Sequence, residues 1–173
     1  MTFAAMLQAL EGAVTIVKRR GALDVPITAL TDDSRAVSPG SLFVAVKGEH
    51  VDGHHFIPSA MKAGMAALVT QQPVTDVSVP VVQVENSRKA LGLLGSRFYG
   101  DPSARIRMVG VTGTNGKTTT TYVCKALLEA LGRQVGLIGT VAYQIGPKTI
   151  SASHTTPGAL ELQQLLTQMV AAR

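Results

Sequence analysis

The sequence predicts an α/β protein: a small N-terminal α/β domain, then the start of a P-loop domain built on a parallel sheet. Three observations support this class. Short apolar strands alternate with helical segments along the chain. A glycine-rich turn joins a strand to a helix within residues 109–120. The 173 residues are 46% hydrophobic and 16% charged, which is typical of a globular protein rather than a disordered one.

Charge and cysteine content narrow the classes of function. The formal net charge is +5, which suits an anionic ligand but is also typical of a basic, solvated surface. The basic residues are scattered and lack an aromatic platform, so we do not expect a nucleic-acid partner. The single cysteine, Cys124, cannot form an internal disulfide, and we interpret it as a small core residue. With no visible signal peptide or membrane-spanning run, the sequence predicts a cytoplasmic protein without membrane insertion.

Residues 1–102 are predicted to form the first domain. Apolar residues at helical spacing predict a short amphipathic opening helix, namely Phe3, Met6, Leu7 and Leu10. Strands are expected at 26–30, 42–46, 66–69 and 81–84, with helices at 56–64 and 87–99. Asn86 or Ser87 is expected to cap the second of these helices.

The run Asp101-Pro102-Ser103 interrupts this pattern, and we place the domain boundary there, so that residues 103–173 form the second domain. Strands are predicted at 106–111 and 134–141, with a helix between them that ends at Gly132 in a left-handed cap. Thr156 and Pro157 are expected to begin a last helix. The buried face of that helix is expected to carry Leu162, Leu165, Leu166 and Met169.

The second domain offers only two good strands, both of the apolar kind that needs helices on each face. Such a unit would expose strand edges and apolar surface. We therefore expect the sequence to be a fragment of a longer protein. The alternative is a genuinely short protein that completes its sheet by pairing with another chain.

Residues 109–120 read Val-Gly-Val-Thr-Gly-Thr-Asn-Gly-Lys-Thr-Thr-Thr. Glycines allow backbone amides to cradle phosphate oxygens, and a helix that is expected to start near Lys117 directs its positive end toward the same anion. Lys117 can reach the β- and γ-phosphates, and Thr118 can offer its hydroxyl to Mg²⁺. The common P-loop has glycine where Val111 stands, so this shorter form disfavours a generic GTPase or motor ATPase. It resembles the nucleotide loop of the Mur ligases and their folylpolyglutamate synthetase relatives.

A second run extends the resemblance over nearly the whole chain. Residues 33–56 read Asp-Ser-Arg-Ala-Val-Ser-Pro-Gly-Ser-Leu-Phe-Val-Ala-Val-Lys-Gly-Glu-His-Val-Asp-Gly-His-His-Phe, similar to the UDP-binding domain shared by the MurE and MurF ligases. Thr114, where MurF more often has serine, resembles MurE, as do residues 139–141 and 154–157. Gly158 departs from the pattern, because many relatives carry an acidic residue there.

The MurE resemblance implies an ATP-dependent amide ligase of peptidoglycan precursor synthesis. Such an enzyme adds a diamino acid, meso-diaminopimelate or L-lysine, to UDP-MurNAc-L-Ala-D-Glu through an acyl phosphate. It implies ATP and Mg²⁺ as cofactors, and the nucleotide-sugar peptide and the diamino acid as partners. The family's further Mg²⁺ ligands, carbamylated lysine and amino-acid pocket have no counterpart up to residue 173, so the chain alone is expected not to ligate. A MurF-type ligase that adds D-Ala-D-Ala and a non-catalytic nucleotide or UDP-sugar binding module remain alternatives.

The resemblance also implies the site residues. Those expected to bind ATP are Gly113, Thr114, Asn115, Gly116, Lys117, Thr118 and Thr119. Lys117 is the expected catalytic residue, and Thr118 the expected metal ligand. Those expected to bind the UDP substrate are Asp32, Ser34, Glu49, His50, Val51, His154, Thr155 and Thr156.

Structural readings of several of these residues stay open. Asp33, Ser34 and Arg35 are also compatible with a turn at the surface, and Thr155 with Thr156 could cap a helix. The histidines of the second run, His50, His54 and His55, are better explained by surface or hydrogen-bonding roles than by a metal site, because no cysteine or acidic ligand cluster accompanies them.

Overall fold

The computed structural model describes residues 1–49, 51–152 and 156–172. It divides into two compact units, unit 1 (Met1–Phe98) and unit 2 (Tyr99–Arg173). Each is described by itself below. Among the described residues, no helix combines the length and the apolar character needed to cross a membrane.

Unit 1 is a five-stranded mixed sheet with helices on it, which confirms the α/β class. The strands described in it are β1 (Ile16–Arg20), β2 (Ala29–Thr31), β3 (Ser41–Val44), β4 (Ala67–Thr70) and β5 (Val81–Val84). Its helices are α1 (Phe3–Leu7), α2 (Ile57–Lys62) and α3 (Ser87–Phe98), with 3₁₀ turns at Gln8–Leu10, Ser34–Ala36 and Gly53–Phe56. The spatial order is β1-β5-β4-β3-β2, with β2 to β5 parallel and β1 antiparallel to β5.

Both faces of this sheet are covered, as expected for parallel strands with near-continuous apolar sequences. On one face, Phe43, Leu68 and Val81 pack with Ile57 and Ala60 of α2. Successive side chains of a strand point to opposite faces. The alternate positions are equally buried, namely Leu42, Val44, Ala67, Val69, Val82 and Val84. The buried side chains of α1 and α3 lie outside the α2 cluster and form the second layer.

The opening helix is confirmed, because its four apolar residues are buried in α1 and the 3₁₀ turn that follows it. The cap of α3 is confirmed as well: Asn86 Oδ1 accepts the Lys89 amide at 2.9 Å. Strand β1 was not predicted, because its residues Lys18, Arg19 and Arg20 look like a charged loop. As one of the two edge strands of the sheet, β1 remains half exposed, so its sequence carries little apolar signal.

Unit 2 contains two helices and three short strands among its described residues. They are α4 (Lys117–Ala130), β6 (Leu137–Ile138), β7 (Ala142–Ile145), β8 (Lys148–Ser151) and α5 (Ala159–Ala171), with a 3₁₀ turn at Pro102–Arg105. The sheet order is β6-β7-β8, and both pairings are antiparallel. Tyr143, Ile145 and Leu165 form its small core, where α5 packs on β7.

The parallel sheet expected in this unit is absent from its described residues. The segment 106–111, predicted as a strand, pairs with no described strand, and Met108 and Val109 are 55% and 74% exposed. An apolar run becomes a parallel strand only beside a partner, and no such partner lies next to it here. The predicted strand 134–141 is confirmed only over the two residues of β6, after which the chain continues into the β7–β8 hairpin.

In unit 2 the predicted end of α4 is confirmed, whereas the predicted start of α5 is not. Gly132 ends α4 as predicted, with a φ of 74° and the Arg133 amide bonded to Leu128 O at 3.0 Å. The last helix begins two residues later than predicted, since Gly158 is its N-cap and Pro157 is buried before it.

Helix α4, all of whose residues are described, has no fully buried side chain. Val123, Leu127 and Leu131 are 52%, 62% and 76% exposed. Cys124 is half-buried, so the prediction that it is a core residue was wrong.

Candidate functional site

Unit 1 holds an open cavity of about 380 Å³ at one edge of its sheet. The described residues that line it are Val46, Lys47, Gly48, Glu49, Gln71, Asn86, Ser87 and Arg88. They come from three segments, which follow β3, β4 and β5 respectively. Because these strands are parallel, their carboxyl ends meet at the same edge, where open α/β sheets bind their ligands.

The first wall is the loop between β3 and the 3₁₀ turn at 53–56. The Gly48 amide donates to Val51 O at 2.9 Å, and the Gly53 amide donates to Val46 O at 3.0 Å. A Cβ on Gly48 would lie 2.8 Å from Val51 O, and one on Gly53 would lie 2.7 Å from Val46 O. The loop therefore needs glycine at both positions, because any side chain would collide with backbone.

The second wall is Gln71, which follows β4, and the third wall is the start of α3. Polar contacts join these segments together. The Ser87 amide donates to Gln71 Oε1 at 3.2 Å, and Arg88 Nη2 donates to Lys47 O at 2.8 Å. Lys47 and Arg88 bring two positive charges to the cavity against the single negative charge of Glu49, and the N-terminal end of a twelve-residue helix adds a favourable dipole. The electrostatics of the cavity therefore suit an anionic ligand.

Asp52 anchors the base of the loop. It accepts the His54 amide at 3.0 Å and the His54 Nδ1 at 2.5 Å through Oδ1, and Gln72 Nε2 at 3.2 Å through Oδ2. The backbone hydrogen bond from His54, followed by the bond from its side chain, lowers the pKa of Asp52. The ionised carboxylate is therefore the form that the folded loop stabilises.

We expect this carboxylate to make the stability of unit 1 pH-dependent. The folded-state pKa is depressed, so the contribution is fully present above the ordinary carboxyl pKa of about 4 and is lost as pH falls through the lower folded-state value. Urea unfolding of the wild type and of Asp52→Asn should show a stability difference at neutral pH that narrows in acid. A difference that stayed constant down to about pH 3 would contradict this assignment.

The Asp32–Arg35 segment follows β2 at the same edge of the sheet. Burial raises the pKa of Asp32, while the nearby positive charge of Arg88, a cavity residue, acts in the opposite direction. Ser34 is half-buried at the start of a 3₁₀ turn. Asp33 is paired with Arg35, whose Nη2 lies 2.7 Å from Asp33 Oδ2, and this bond lowers the pKa of Asp33. Because the Arg35 side chain is 89% exposed, the pair serves as a surface turn.

The expected UDP-site residues are thus only partly brought together. Glu49 lines the cavity, and Asp32 lies within electrostatic range of Arg88. Ser34 and Val51 are not among the described lining residues. His50, His154 and Thr155 lie outside the described residues, and Thr156 is an exposed residue of unit 2.

Lys47, Gln71 and Arg88 were not predicted as site residues. Each lies within two residues of the end of a predicted strand or the start of a predicted helix, which was the one signal available for them. Their proximity depends on β3, β4 and β5 being neighbours in one sheet, and the local sequence does not encode that order.

The second candidate site is the glycine-rich loop of unit 2. Gly113 and Gly116 have φ values of 151° and 78°, which L-residues with a side chain rarely adopt. Gly116 is the N-cap of α4, and Lys117 is its first residue, as predicted. Thr114 and Asn115 are exposed, as is Thr119 in the first turn of the helix.

The lysine of this loop folds back over it. Lys117 Nζ donates to Gly113 O at 2.6 Å, so its ammonium group lies against the loop backbone rather than in open solvent. A cation above the start of a fourteen-residue helix is the arrangement that binds phosphate oxygens. The residues therefore fit a nucleotide triphosphate, and half-buried Thr118 could supply one oxygen ligand to a bound Mg²⁺. Among the described residues, no three histidine, cysteine or acidic side chains form a group that could hold a metal ion by themselves.

Comparison with known proteins identifies the family of the chain. The family described as "Mur ligase family, catalytic domain" matches residues 26–99, and "Mur ligase middle domain" matches residues 111–173. The chain belongs to the Mur ligase family. The second match begins just before the glycine-rich loop of unit 2, and the first covers all three walls of the cavity.

Individual Mur ligases show the same likeness. The UDP-N-acetylmuramoyl-L-alanyl-D-glutamate--2,6-diaminopimelate ligase of Geobacillus thermodenitrificans is 49% identical over 144 residues, which is 83% of this chain and 29% of that protein. The enzyme of the same name from Alkaliphilus metalliredigens is 45% identical over 157 residues, 90% of this chain and 32% of that one. A UDP-N-acetylmuramyl-tripeptide synthetase of Roseiflexus sp. is 49% identical over 150 residues, 84% of this chain and 30% of that one.

Solved structures support the fold of this Mur ligase. A UDP-N-acetylmuramoyl-L-alanyl-D-glutamate--2,6-diaminopimelate ligase matches 99% of the chain with a TM-score of 0.77 at 24% identity, over 34% of that structure. MurF from Acinetobacter baumannii matches 96% of the chain with a TM-score of 0.60 at 24% identity, over 32% of that structure. The chain spans about a third of the length of the relatives that it matches.

Proposed function

We propose that this chain provides the UDP-binding and ATP-binding parts of a MurE-type ligase. That ligase would add a diamino acid to UDP-MurNAc-L-Ala-D-Glu with ATP. The observation that carries the proposal is the presence of two separate anion-binding arrangements, the cationic cavity of unit 1 and the Lys117 loop of unit 2. The names of the relatives favour MurE over MurF, and most of them favour diaminopimelate as the added amino acid.

The chemistry explains why the ligase needs both arrangements. The γ-carboxylate of the D-Glu residue is a poor electrophile at neutral pH. One of its oxygens would therefore accept the γ-phosphoryl group of ATP, which releases ADP and forms an acyl phosphate. The uncharged amine of the diamino acid would then attack that carbonyl, and phosphate would leave as the amide forms. Phosphoryl transfer depends mainly on positioning and charge neutralisation.

Each part has residues suited to its role. Lys117 and the loop amides of residues 113–119 would hold the triphosphate, and Lys117 would neutralise charge on the transferred group. A Mg²⁺ ion with Thr118 among its ligands would supply further charge neutralisation. In unit 1, Glu49, Lys47 and Arg88 would border the uridine nucleotide, and Asp32 and Ser34 would lie at the same sheet edge. His50, Val51, His154, Thr155 and Thr156 remain proposed substrate contacts.

A chimera tests this function directly. The 173 residues would replace the matching segment of the Geobacillus thermodenitrificans ligase, which is 49% identical over 144 residues. With ATP, Mg²⁺, UDP-MurNAc-L-Ala-D-Glu and diaminopimelate, the chimera should release ADP and form the tripeptide nucleotide. The same chimera carrying Lys117→Ala should form none.

Two outcomes would count against the proposal. A folded chimera that binds UDP but forms no tripeptide nucleotide would favour the non-catalytic binding module. Activity of the same 173 residues in place of the matching segment of the Acinetobacter baumannii MurF, with none in the Geobacillus chimera, would favour a MurF-type ligase. The 173-residue chain on its own is expected to bind nucleotide without ligating, and we propose a cytoplasmic location for it.

A further inference from the structure

His54, a buried histidine of unit 1, is not among the described residues that line the cavity. His54 is 8% exposed, although it lies in a polar 3₁₀ turn. Its Nδ1 is 2.5 Å from Asp52 Oδ1, and its Nε2 accepts the Gln71 amide at 3.2 Å. Both ring nitrogens thus have protein partners, which argues against a metal-binding role for this residue.

These two contacts fix the tautomer of the ring. A backbone amide can only donate, so Nε2 must be unprotonated where it meets Gln71. The ring proton therefore lies on Nδ1, where the Asp52 carboxylate accepts it. Asp52 determines which nitrogen faces Gln71 and keeps that nitrogen an acceptor.

Gln71 connects His54 to the start of α3, which lines the cavity. Its side-chain Oε1 accepts the Ser87 amide at 3.2 Å and the Ser87 hydroxyl at 3.4 Å, at the first residue of α3. The adjoining turn is held by buried Thr70, whose Oγ1 accepts the Gln72 amide at 3.2 Å. The chain of contacts Asp52–His54–Gln71–Ser87 therefore connects all three segments that line the cavity.

We propose that His54 is a positioning residue for the ligand cavity of unit 1. Its Nε2 fixes the Gln71 backbone, and Gln71 in turn holds the loop after β3 and the start of α3 at the spacing that a uridine nucleotide requires. This inference rests on the proposed function for the identity of the ligand. The arrangement itself rests on the hydrogen bonds given above.

The first test needs no nucleotide. In the ¹⁵N-labelled 173-residue chain, the His54 ring should show a protonated Nδ1 and an unprotonated Nε2. A through-hydrogen-bond coupling should connect that Nε2 to the Gln71 amide nitrogen. In His54→Phe, which keeps an aromatic ring but loses the acceptor, the side-chain carboxamide signals of Gln71 should shift. Absence of the coupling, or unchanged Gln71 signals in the variant, would overturn the proposal.

The second test measures UDP affinity by calorimetry. His54→Phe should weaken UDP binding about tenfold, the scale expected from losing one buried hydrogen bond that orders a site. His54→Gln, whose carboxamide oxygen can still accept the Gln71 amide, should recover part of that loss. The effect of His54→Phe should largely vanish in a Gln71→Ala background, because the two residues act in series.

A matched control separates positioning from general destabilisation. Met6→Ala removes a fully buried side chain of α1 in the same unit, so it should lower stability while leaving UDP affinity unchanged. Additive effects of His54→Phe and Gln71→Ala, or an equal loss of affinity in Met6→Ala, would defeat the proposal. If the wild type bound no UDP, the proposed function would fail, and the NMR test would still decide whether His54 positions Gln71.

Discussion

Replacing Lys117 with alanine should weaken ATP binding to the chain by about a hundredfold, because it removes a cation that lies over the glycine-rich loop. The ammonium group is 2.6 Å from Gly113 O, and it would exchange this carbonyl for phosphate oxygens when nucleotide binds. Calorimetry with ATP and Mg²⁺ measures the loss. Circular dichroism should show unchanged helix content, since the side chain packs against no core.

Lys125 of the same helix provides the matched control. It pairs with Glu129 one turn further along α4, away from the loop. Lys125→Ala removes the same charge from the protein and should leave ATP affinity within about twofold, because the Lys125 ammonium group is paired with Glu129 and does not contact the loop. Equal losses in the two variants would mean that net charge, rather than the loop, governs binding, and the nucleotide site proposed here would be wrong.

Gly53→Ala should destabilise unit 1 by about 2 kcal/mol, because its new methyl group would lie 2.7 Å from Val46 O and 3.0 Å from Val46 N. The neighbour is backbone, so the loop between β3 and the 3₁₀ turn has to move. Val46 lines the cavity, and this movement should also weaken UDP binding by more than tenfold. Urea unfolding and calorimetry measure the two effects.

Gly92→Ala in α3 is the corresponding control. A Cβ at this position would have no neighbour within 4 Å, and the residue lies inside a helix. Alanine should therefore stabilise the unit by about 0.5–1 kcal/mol without altering UDP affinity. A Gly53→Ala protein with wild-type stability and affinity would show that the loop is not as closely packed as described.

Most of unit 1 could be predicted because its elements carry their own signals. The apolar runs of β3, β4 and β5 and the polar cap at Asn86 are local features, and each led to the right element. Strand β1 was not predicted, because a strand at the edge of a sheet can stay half exposed and therefore needs few apolar residues. The same limit explains segment 106–111: its apolar residues satisfy the pattern of a strand, but pairing depends on residues elsewhere.

The two candidate sites differ in the same way, because one is encoded locally in the sequence and the other is not. The glycine-rich loop lies in one continuous run, so the start of α4 at Lys117 and the left-handed Gly132 could both be predicted from sequence. The cavity is assembled from segments after three strands. Only Glu49 among its described lining residues was identified from the motif, whereas Lys47, Gln71 and Arg88 required the order of the sheet. Spatial order is a property of the whole sheet and has no local signature.

The position of β1 also has a consequence for synthesis on the ribosome. Ile16 is synthesised well before Val84, with which it pairs, so the sheet of unit 1 cannot close until β5 has left the exit tunnel. Until then β1 remains an unpaired strand. We expect its three consecutive cations, Lys18, Arg19 and Arg20, to repel other nascent chains and so to disfavour aggregation during that interval.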